Sequence, residues 1–282
     1  MSPPLRTLDA RFEDFDGHRS VVVRWRPAQP PRAQAVFFPA FGDEMNQTRR
    51  MVKLAAEALA AHGIESVVFD PHGTGDSRAG FEDATVAGWL ADCRAIVARV
   101  QAEAPTQPLL LIGCRLGAAL AVETSHSLAE PAVALIGWAP LLQGKQQLSG
   151  MLRADKVSRM QKSDAAGTPE PKVLWAAGEC AWLGGYPVSA ALAEQLEALD
   201  ATAVPKAACA TLIDVRVPVG EEPVAPTEPL MKRGESWTAH GVPTEVQAVP
   251  GAGFWNVADL VDVPELVEAT VAAAERALET AK

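Results

Sequence analysis

The sequence predicts a single α/β domain over residues 1–282, built on a doubly wound, mostly parallel β-sheet. Three observations lead to this fold class. Short, continuously apolar runs alternate with helical segments, as expected for parallel strands covered on both faces. Two of those runs end in glycine-rich turns. The chain also begins with two segments in which apolar and polar residues alternate. With 282 residues, of which 48% are hydrophobic, the chain is long enough for a sizeable core.

The first half of the chain supplies the centre of the predicted sheet. Residues 7–15 and 20–26 alternate around Asp16-Gly17 and predict an antiparallel hairpin at one edge. Helical spacing predicts a first helix over residues 45–62, ending at Gly63. A second helix is predicted to run to residue 102, with Asp83 as its cap. The apolar runs that predict buried strands are 35–38, 64–69, 108–112 and 132–138.

An interruption follows the fourth of these strands, at residues 145–205. It contains an Arg/Lys-rich helix (145–162), a polar stretch (163–172) and an aromatic patch of Trp175, Trp182 and Tyr186. We expect a lid-like insertion here. The alternative is an ordinary segment on the surface that is not a lid. The α/β pattern then resumes with strands at 210–217 and 244–249 and helices within 226–240 and 264–280.

Two glycine-framed motifs narrow the fold class. Gly113 and Gly117 enclose Arg115 between a strand and a small-residue helix, which is the context of the G-x-S-x-G nucleophile elbow in α/β-hydrolases. Residues 70–77 match D-x-x-G-x-G-x-S, a loop found one strand–helix unit before that elbow. The pair predicts the α/β-hydrolase fold and says little about activity.

Two of the three positions of a serine triad lack the side chain that the mechanism needs. In this fold the nucleophile, the acid and the histidine follow in that chain order. Arg115 occupies the nucleophile position, and Phe254 stands where a histidine is expected after the last strand. The acid position has Glu221 and Glu222 as candidates, with Asp214 inside the preceding strand. Because an acid without a histidine to orient has no triad role, a Ser-His-Asp mechanism is excluded.

Two other side chains are weak catalytic candidates. Cys114 precedes the elbow position, but a cysteine at the end of a buried strand is usually part of the core. His72 lies near the carboxyl edge of the sheet and is the best-placed histidine for a general base, although a bond to a turn carbonyl explains it more simply.

Arg115 is expected at the start of a helix, where the unpaired amides and the helix dipole favour negative charge. We therefore expect an anion beside it. The anion is either a carboxylate or phosphate of a ligand or an acid of the chain, from among Asp43, Glu44, Glu221 and Glu222. If the anion belongs to a ligand, the predicted ligand-binding residues are Arg115, Leu116, Phe41, Gly42, Asp43, Phe254 and Trp255.

The composition and charge of the chain exclude some classes of partner and cofactor. The net charge of −10 and the pI near 5.0 argue against nucleic acid. No apolar run is long enough to span a bilayer, and the N-terminus lacks the apolar core of a signal peptide, so a cytoplasmic protein is expected. The four cysteines, Cys93, Cys114, Cys180 and Cys209, are dispersed. No metal or cofactor is expected.

The chain resembles the exosortase A system-associated hydrolase 2 group of the α/β-hydrolase superfamily. The resemblance is carried by residues 39–51, 70–77, 113–118, 138–146, 184–189 and 250–255. It implies a bacterial setting near exosortase and exopolysaccharide systems, with a protein partner there. Three interpretations stay open: a binding protein for a small anionic or acyl ligand, an ester or thioester hydrolase or acyltransferase using Cys114 or His72, and a scaffold.

Overall fold

The computed structural model describes residues 7–15, 17–161, 169–220, 222–257 and 259–281. Within them, ten strands form an eight-stranded sheet and a separate two-stranded hairpin. The strands of the large sheet are β1 (Thr7–Phe15), β2 (His18–Arg26), β3 (Ala33–Phe38), β4 (Ile64–Phe69), β5 (Leu109–Cys114), β6 (Ala134–Trp138), β9 (Ala210–Arg216) and β10 (Thr244–Pro250). Those of the hairpin are β7 (Ala181–Leu183) and β8 (Tyr186–Val188).

The helices connect successive strands. In chain order they are α1 (Asp43–Ala61), α2 (Val86–Glu103), α3 (Gly117–Ser125), α4 (Gly144–Gln161), α5 (Pro171–Ala176), α6 (Ala190–Ala198), α7 (Glu228–Ala239) and α8 (Pro264–Thr280). In the described part of the chain, none of them is long and apolar enough to cross a membrane.

The strand order is β1-β2-β4-β3-β5-β6-β9-β10. The strand β2 pairs antiparallel with both β1 and β4, and the other neighbours are parallel. The chain moves outward from β3 to β4 and then returns to place β5 on the other side of β3. Such a reversal opens a crevice at the carboxyl ends of the two central strands, where ligands bind in open α/β sheets. The fold is therefore that of an α/β-hydrolase, as predicted.

Each face of the sheet carries its own apolar core. Leu109 and Leu111 of β5 pack in the cluster that contains α2 and α3, whereas Leu110 and Ile112 pack in the cluster of α1 and α8. Because successive side chains of a strand point to opposite faces, a strand buried on both sides reads as an unbroken apolar run. This is why the central strands were recognisable in the sequence.

The segment between β6 and β9 holds α4, α5, the β7–β8 hairpin and α6. The aromatic patch is part of it: the indole Nε1–H of Trp175 donates to the Val188 carbonyl at 2.8 Å, and Tyr186 begins β8. The polar stretch predicted at residues 163–172 falls largely outside the described residues, and α5 already contains Lys172.

One predicted helix cap is wrong. Asp83 ends a short 3₁₀ helix (Phe81–Asp83), and α2 begins after Thr85. The Thr85 side chain accepts a hydrogen bond from the Gly88 N–H at 3.0 Å. Both residues are good N-caps, so local sequence preference does not choose between them. The packing of the 3₁₀ turn before α2 decides it.

Candidate functional site

The candidate site lies where the loops after β3, β5 and β10 meet at the carboxyl edge of the sheet. At its centre is the turn between β5 and α3. Arg115 has a φ of 54°, which is the left-handed conformation that non-glycine residues rarely adopt. A β-carbon on Gly113 would lie 2.4 Å from the Ala118 Cα, and one on Gly117 would lie 2.1 Å from the Phe38 carbonyl oxygen. The elbow geometry of a hydrolase is therefore present, and both glycines are required by close backbone contacts.

The Arg115 side chain binds to the protein itself. Its Nε and Nη2 donate to Glu44 Oε1 at 3.3 and 3.2 Å, and its Nη1 donates to the Ala139 carbonyl at 2.9 Å. The guanidinium carbon lies 4.6 Å from the ring centre of Trp255, within the range of a cation–π contact. Of the candidate acids that the structure describes, namely Asp43, Glu44 and Glu222, Glu44 is the one in contact with Arg115. Its carboxylate offsets the charge of the guanidinium.

The Glu44 carboxyl group is in an unusual environment. Its side chain is 18% exposed, and burial raises its pKa above the ordinary value, while Arg115 offsets part of the rise. Its second oxygen, Oε2, is buried and has no hydrogen-bond partner among the described residues. A carboxyl group with a perturbed pKa in a cleft is a typical feature of functional sites.

The raised pKa gives a testable pH dependence. Since the folded protein holds the Glu44 proton more tightly than the unfolded chain does, the contribution of Glu44 to the free energy of unfolding is most favourable below about pH 4.3, the ordinary value for glutamate. It declines as the pH rises through the raised value. We therefore expect the stability of the wild type relative to Glu44→Gln to decrease between pH 4 and pH 7, as measured by urea unfolding.

The matched control for this experiment is Glu130→Gln, which removes one negative charge from an exposed position. The two variants separate burial of the Glu44 carboxyl from the general effect of net charge. A stability difference between wild type and Glu44→Gln that grows with pH would show that attraction to Arg115 outweighs burial.

Two backbone donors at the elbow are available. Among the described residues, the N–H groups of Phe41 and Leu116 donate to no protein acceptor. In hydrolases of this fold, the oxyanion hole is made by the N–H after the nucleophile and by one from the loop after β3. Phe41, in the loop after β3, and Leu116, directly after Arg115, occupy the corresponding positions in this chain.

Phe254, which the sequence predicts at the histidine position, is part of the core. Phe254 is 2% exposed and packs against Trp138 and Trp255, with ring centres 6.4 and 5.2 Å apart. Near the acid position, Asp214 is buried, and its Oδ2 accepts from the Thr227 N–H at 3.0 Å. Glu222 is exposed, and Glu221 lies outside the described residues. No described residue supplies an imidazole facing the elbow.

The weak catalytic candidates lie elsewhere. Cys114 is 2% exposed, in the core between the sheet and helices α1 and α8, and burial raises the pKa of its thiol. The Nδ1 of His72 lies 3.3 Å from that of His18, and the His72 backbone N–H donates to Asp92 Oδ2 at 2.7 Å. Neither side chain faces the elbow, so neither is placed to attack or deprotonate a substrate there.

A cavity of about 560 Å³, which we call the elbow cavity, opens beside Arg115. Five of the seven predicted binding residues line it, namely Phe41, Gly42, Asp43, Arg115 and Trp255, whereas Leu116 and Phe254 do not. Sequence reasoning missed its other wall, which is formed by the segment between β6 and β9. That wall consists of Gln146, Gln147, Gly150, Met151, Arg153, Ala154, Leu183, Gly184 and Tyr186.

Comparison with known proteins agrees with this geometry. The family model for serine aminopeptidase S33 matches residues 29–172, just over half of the chain and including the elbow. The chain belongs to this family. No curated protein matches the sequence. The matched range includes Arg115 between Gly113 and Gly117.

Solved structures show the same fold at low sequence identity. Est1E from Butyrivibrio proteoclasticus with bound ferulic acid is 16% identical, with a TM-score of 0.64 over 96% of this chain and 100% of that one. A soluble variant of monoglyceride lipase from Saccharomyces cerevisiae, in complex with a substrate analogue, is 14% identical, with a TM-score of 0.63 over 98% of both chains. A serine hydrolase without a lid from Xanthomonas campestris is 18% identical, with a TM-score of 0.56 over 95% of this chain and 94% of that one.

Proposed function

We propose that this S33 family member is a binding protein for a small acyl or anionic ligand, which has kept the hydrolase cavity and lost the serine triad. The observation that carries the proposal is the ion pair between Arg115 and Glu44 at the position of the nucleophile. A guanidinium does not attack a carbonyl group, and the buried ring of Phe254 does not transfer a proton.

The elbow cavity supports an acyl ligand in particular. Leu141, Met151 and Leu183 give it apolar walls, and Phe41, whose N–H donates to no acceptor among the described residues, also lines it. Gln147 is 8% exposed, and its buried Oε1 has no partner among the described residues. A cavity that combines apolar walls with polar groups is typical of small-molecule sites. An anionic ligand would compete with Glu44 for Arg115.

The segment between β6 and β9 is, in this proposal, the lid over the ligand, within a single domain. The resemblance to the exosortase A system-associated hydrolase 2 group adds a proposed setting, in which the protein serves an exosortase or exopolysaccharide system and contacts a protein partner there. No observation at the elbow favours hydrolysis through Cys114 or His72.

The proposal is tested by turnover and binding in the same preparation. We expect no hydrolysis of p-nitrophenyl or acyl-CoA esters above the buffer rate. We also expect none after Arg115→Ser, because that variant restores a hydroxyl without an imidazole. Calorimetric titration with octanoate and with methyl octanoate should show binding. Met151→Trp, which fills the elbow cavity, should weaken it at least tenfold.

The control is Met160→Trp on the same helix, because Met160 is 79% exposed. It should bind the octanoyl compounds as the wild type does. Ester turnover by the wild type that disappears in Cys114→Ala or His72→Ala would replace this proposal with that of an active hydrolase. If neither octanoyl compound binds, the proposal that the ligand is an acyl compound is wrong.

A further inference from the structure

A second cavity, of about 440 Å³, lies on the other side of Arg115 and Trp255 from the elbow cavity. We call it the arginine cavity. It is bounded by the ends of β6 and β9 and by the start of α7, and it shares only Arg115, Gln146 and Trp255 with the elbow cavity. Its charged lining residues are Arg115, Arg216, Arg233 and Asp214.

The charge of this cavity contrasts with that of the chain. Glu44 already neutralises Arg115, and the Asp214 carboxylate accepts from the Thr227 N–H. Within the described ranges, Arg216 and Arg233 form no ion pair with an acid. Two guanidinium groups that form no ion pair within the described ranges therefore share one concave site with the Asp214 carboxyl group, in a protein whose net charge is −10.

One of these arginines is held in place. The Nη1 of Arg233 donates to the Thr202 carbonyl at 2.7 Å, and the indole Nε1–H of Trp237 donates to the same oxygen at 3.1 Å. Trp237 is 1% exposed, so this carbonyl is fixed by the core. A guanidinium fixed in this way has already lost much of the side-chain freedom that ligand binding would otherwise remove. Its remaining N–H donors bond to no acceptor in the part of the chain that the structure describes.

We propose that the arginine cavity binds a small dianion, either a phosphate group or a dicarboxylate, through Arg216 and Arg233. Guanidinium forks match the oxygen pairs of carboxylate and phosphate, and two forks can bind two such pairs of one ligand. The cavity volume is sufficient for such a ligand. This site is separate from the proposed acyl site, and it does not need Arg115 to leave Glu44.

Calorimetric titrations at constant ionic strength test this proposal. The probes are inorganic phosphate, malonate and, as a monoanion, chloride. We expect one or both dianions to bind the wild type and chloride not to compete. Arg216→Gln and Arg233→Gln should each weaken binding at least tenfold, whereas Arg94→Gln, which removes one exposed positive charge on α2, should leave it within twofold.

The outcomes are distinct. Binding of phosphate alone identifies a phosphate-bearing ligand, and binding of malonate alone identifies a dicarboxylate. Equal weakening by Arg94→Gln and Arg216→Gln, or no binding of either dianion, overturns the proposal. If Arg233→Gln unfolds the protein, Arg216→Gln carries the test alone. The octanoyl titrations are unaffected by this result, so the two proposals fail separately.

Discussion

Gly117→Ala is expected to destabilise the fold by about 3 kcal/mol or more, a cost typical of severe overpacking. A β-carbon at this position would lie 2.1 Å from the Phe38 carbonyl oxygen and 2.5 Å from that of Pro39. Both neighbours are backbone atoms at the end of β3, so no side-chain rotation relieves the clash. Urea unfolding measures the loss, and the melting temperature should fall with it.

The matched control is Gly150→Ala on helix α4, where an added β-carbon meets nothing within 4 Å. Because alanine is a better helix former than glycine, this change should raise stability, by up to about 1 kcal/mol. Equal effects of the two substitutions would mean that α3 does not pack against β3 as closely as the structure shows.

Phe254→Ala is expected to cost about 3–5 kcal/mol, the usual loss for a buried phenylalanine. The ring is 2% exposed and fills the space between Trp138 and Trp255 on the α1 and α8 side of the sheet. Removing it leaves a cavity that the two indoles do not close. Urea unfolding and the near-ultraviolet circular dichroism of the tryptophans are the measurements.

Leu260→Ala in the same loop is the control, because Leu260 is 75% exposed. Its effect should stay within about 0.5 kcal/mol. A small loss for Phe254→Ala as well would mean that the ring at the former histidine position is not part of the core, and the triad interpretation would then need revision.

The central strands and the elbow were predictable from the sequence for physical reasons that act locally. Strands buried on both faces give unbroken apolar runs, as in β5, and the close contacts at Gly113 and Gly117 exclude any side chain. The start of α2 was not predictable to the residue. Asp83 and Thr85 are both adequate caps, and only the preceding 3₁₀ turn selects between them.

The candidate site was predicted only in part. The sequence placed Arg115 at the elbow and offered Glu44 among its acidic partners, but adjacent positions do not show which carboxylate turns toward the guanidinium. The wall contributed by α4 and the β7–β8 hairpin was missed, because it depends on how the segment between β6 and β9 folds back. The arginine cavity was also missed, since Arg216 and Arg233 belong to different elements.

By itself, the sequence determined the α/β-hydrolase fold and predicted Arg115 and Phe254 at the nucleophile and histidine positions, because residue identity and periodicity are local properties. Tertiary structure alone decided that Glu44 neutralises Arg115, that Phe254 is buried and that Arg216 and Arg233 share a cavity. These depend on burial and on distances between residues far apart in the chain. Such distances fix the electrostatics of a site, and no local pattern encodes them.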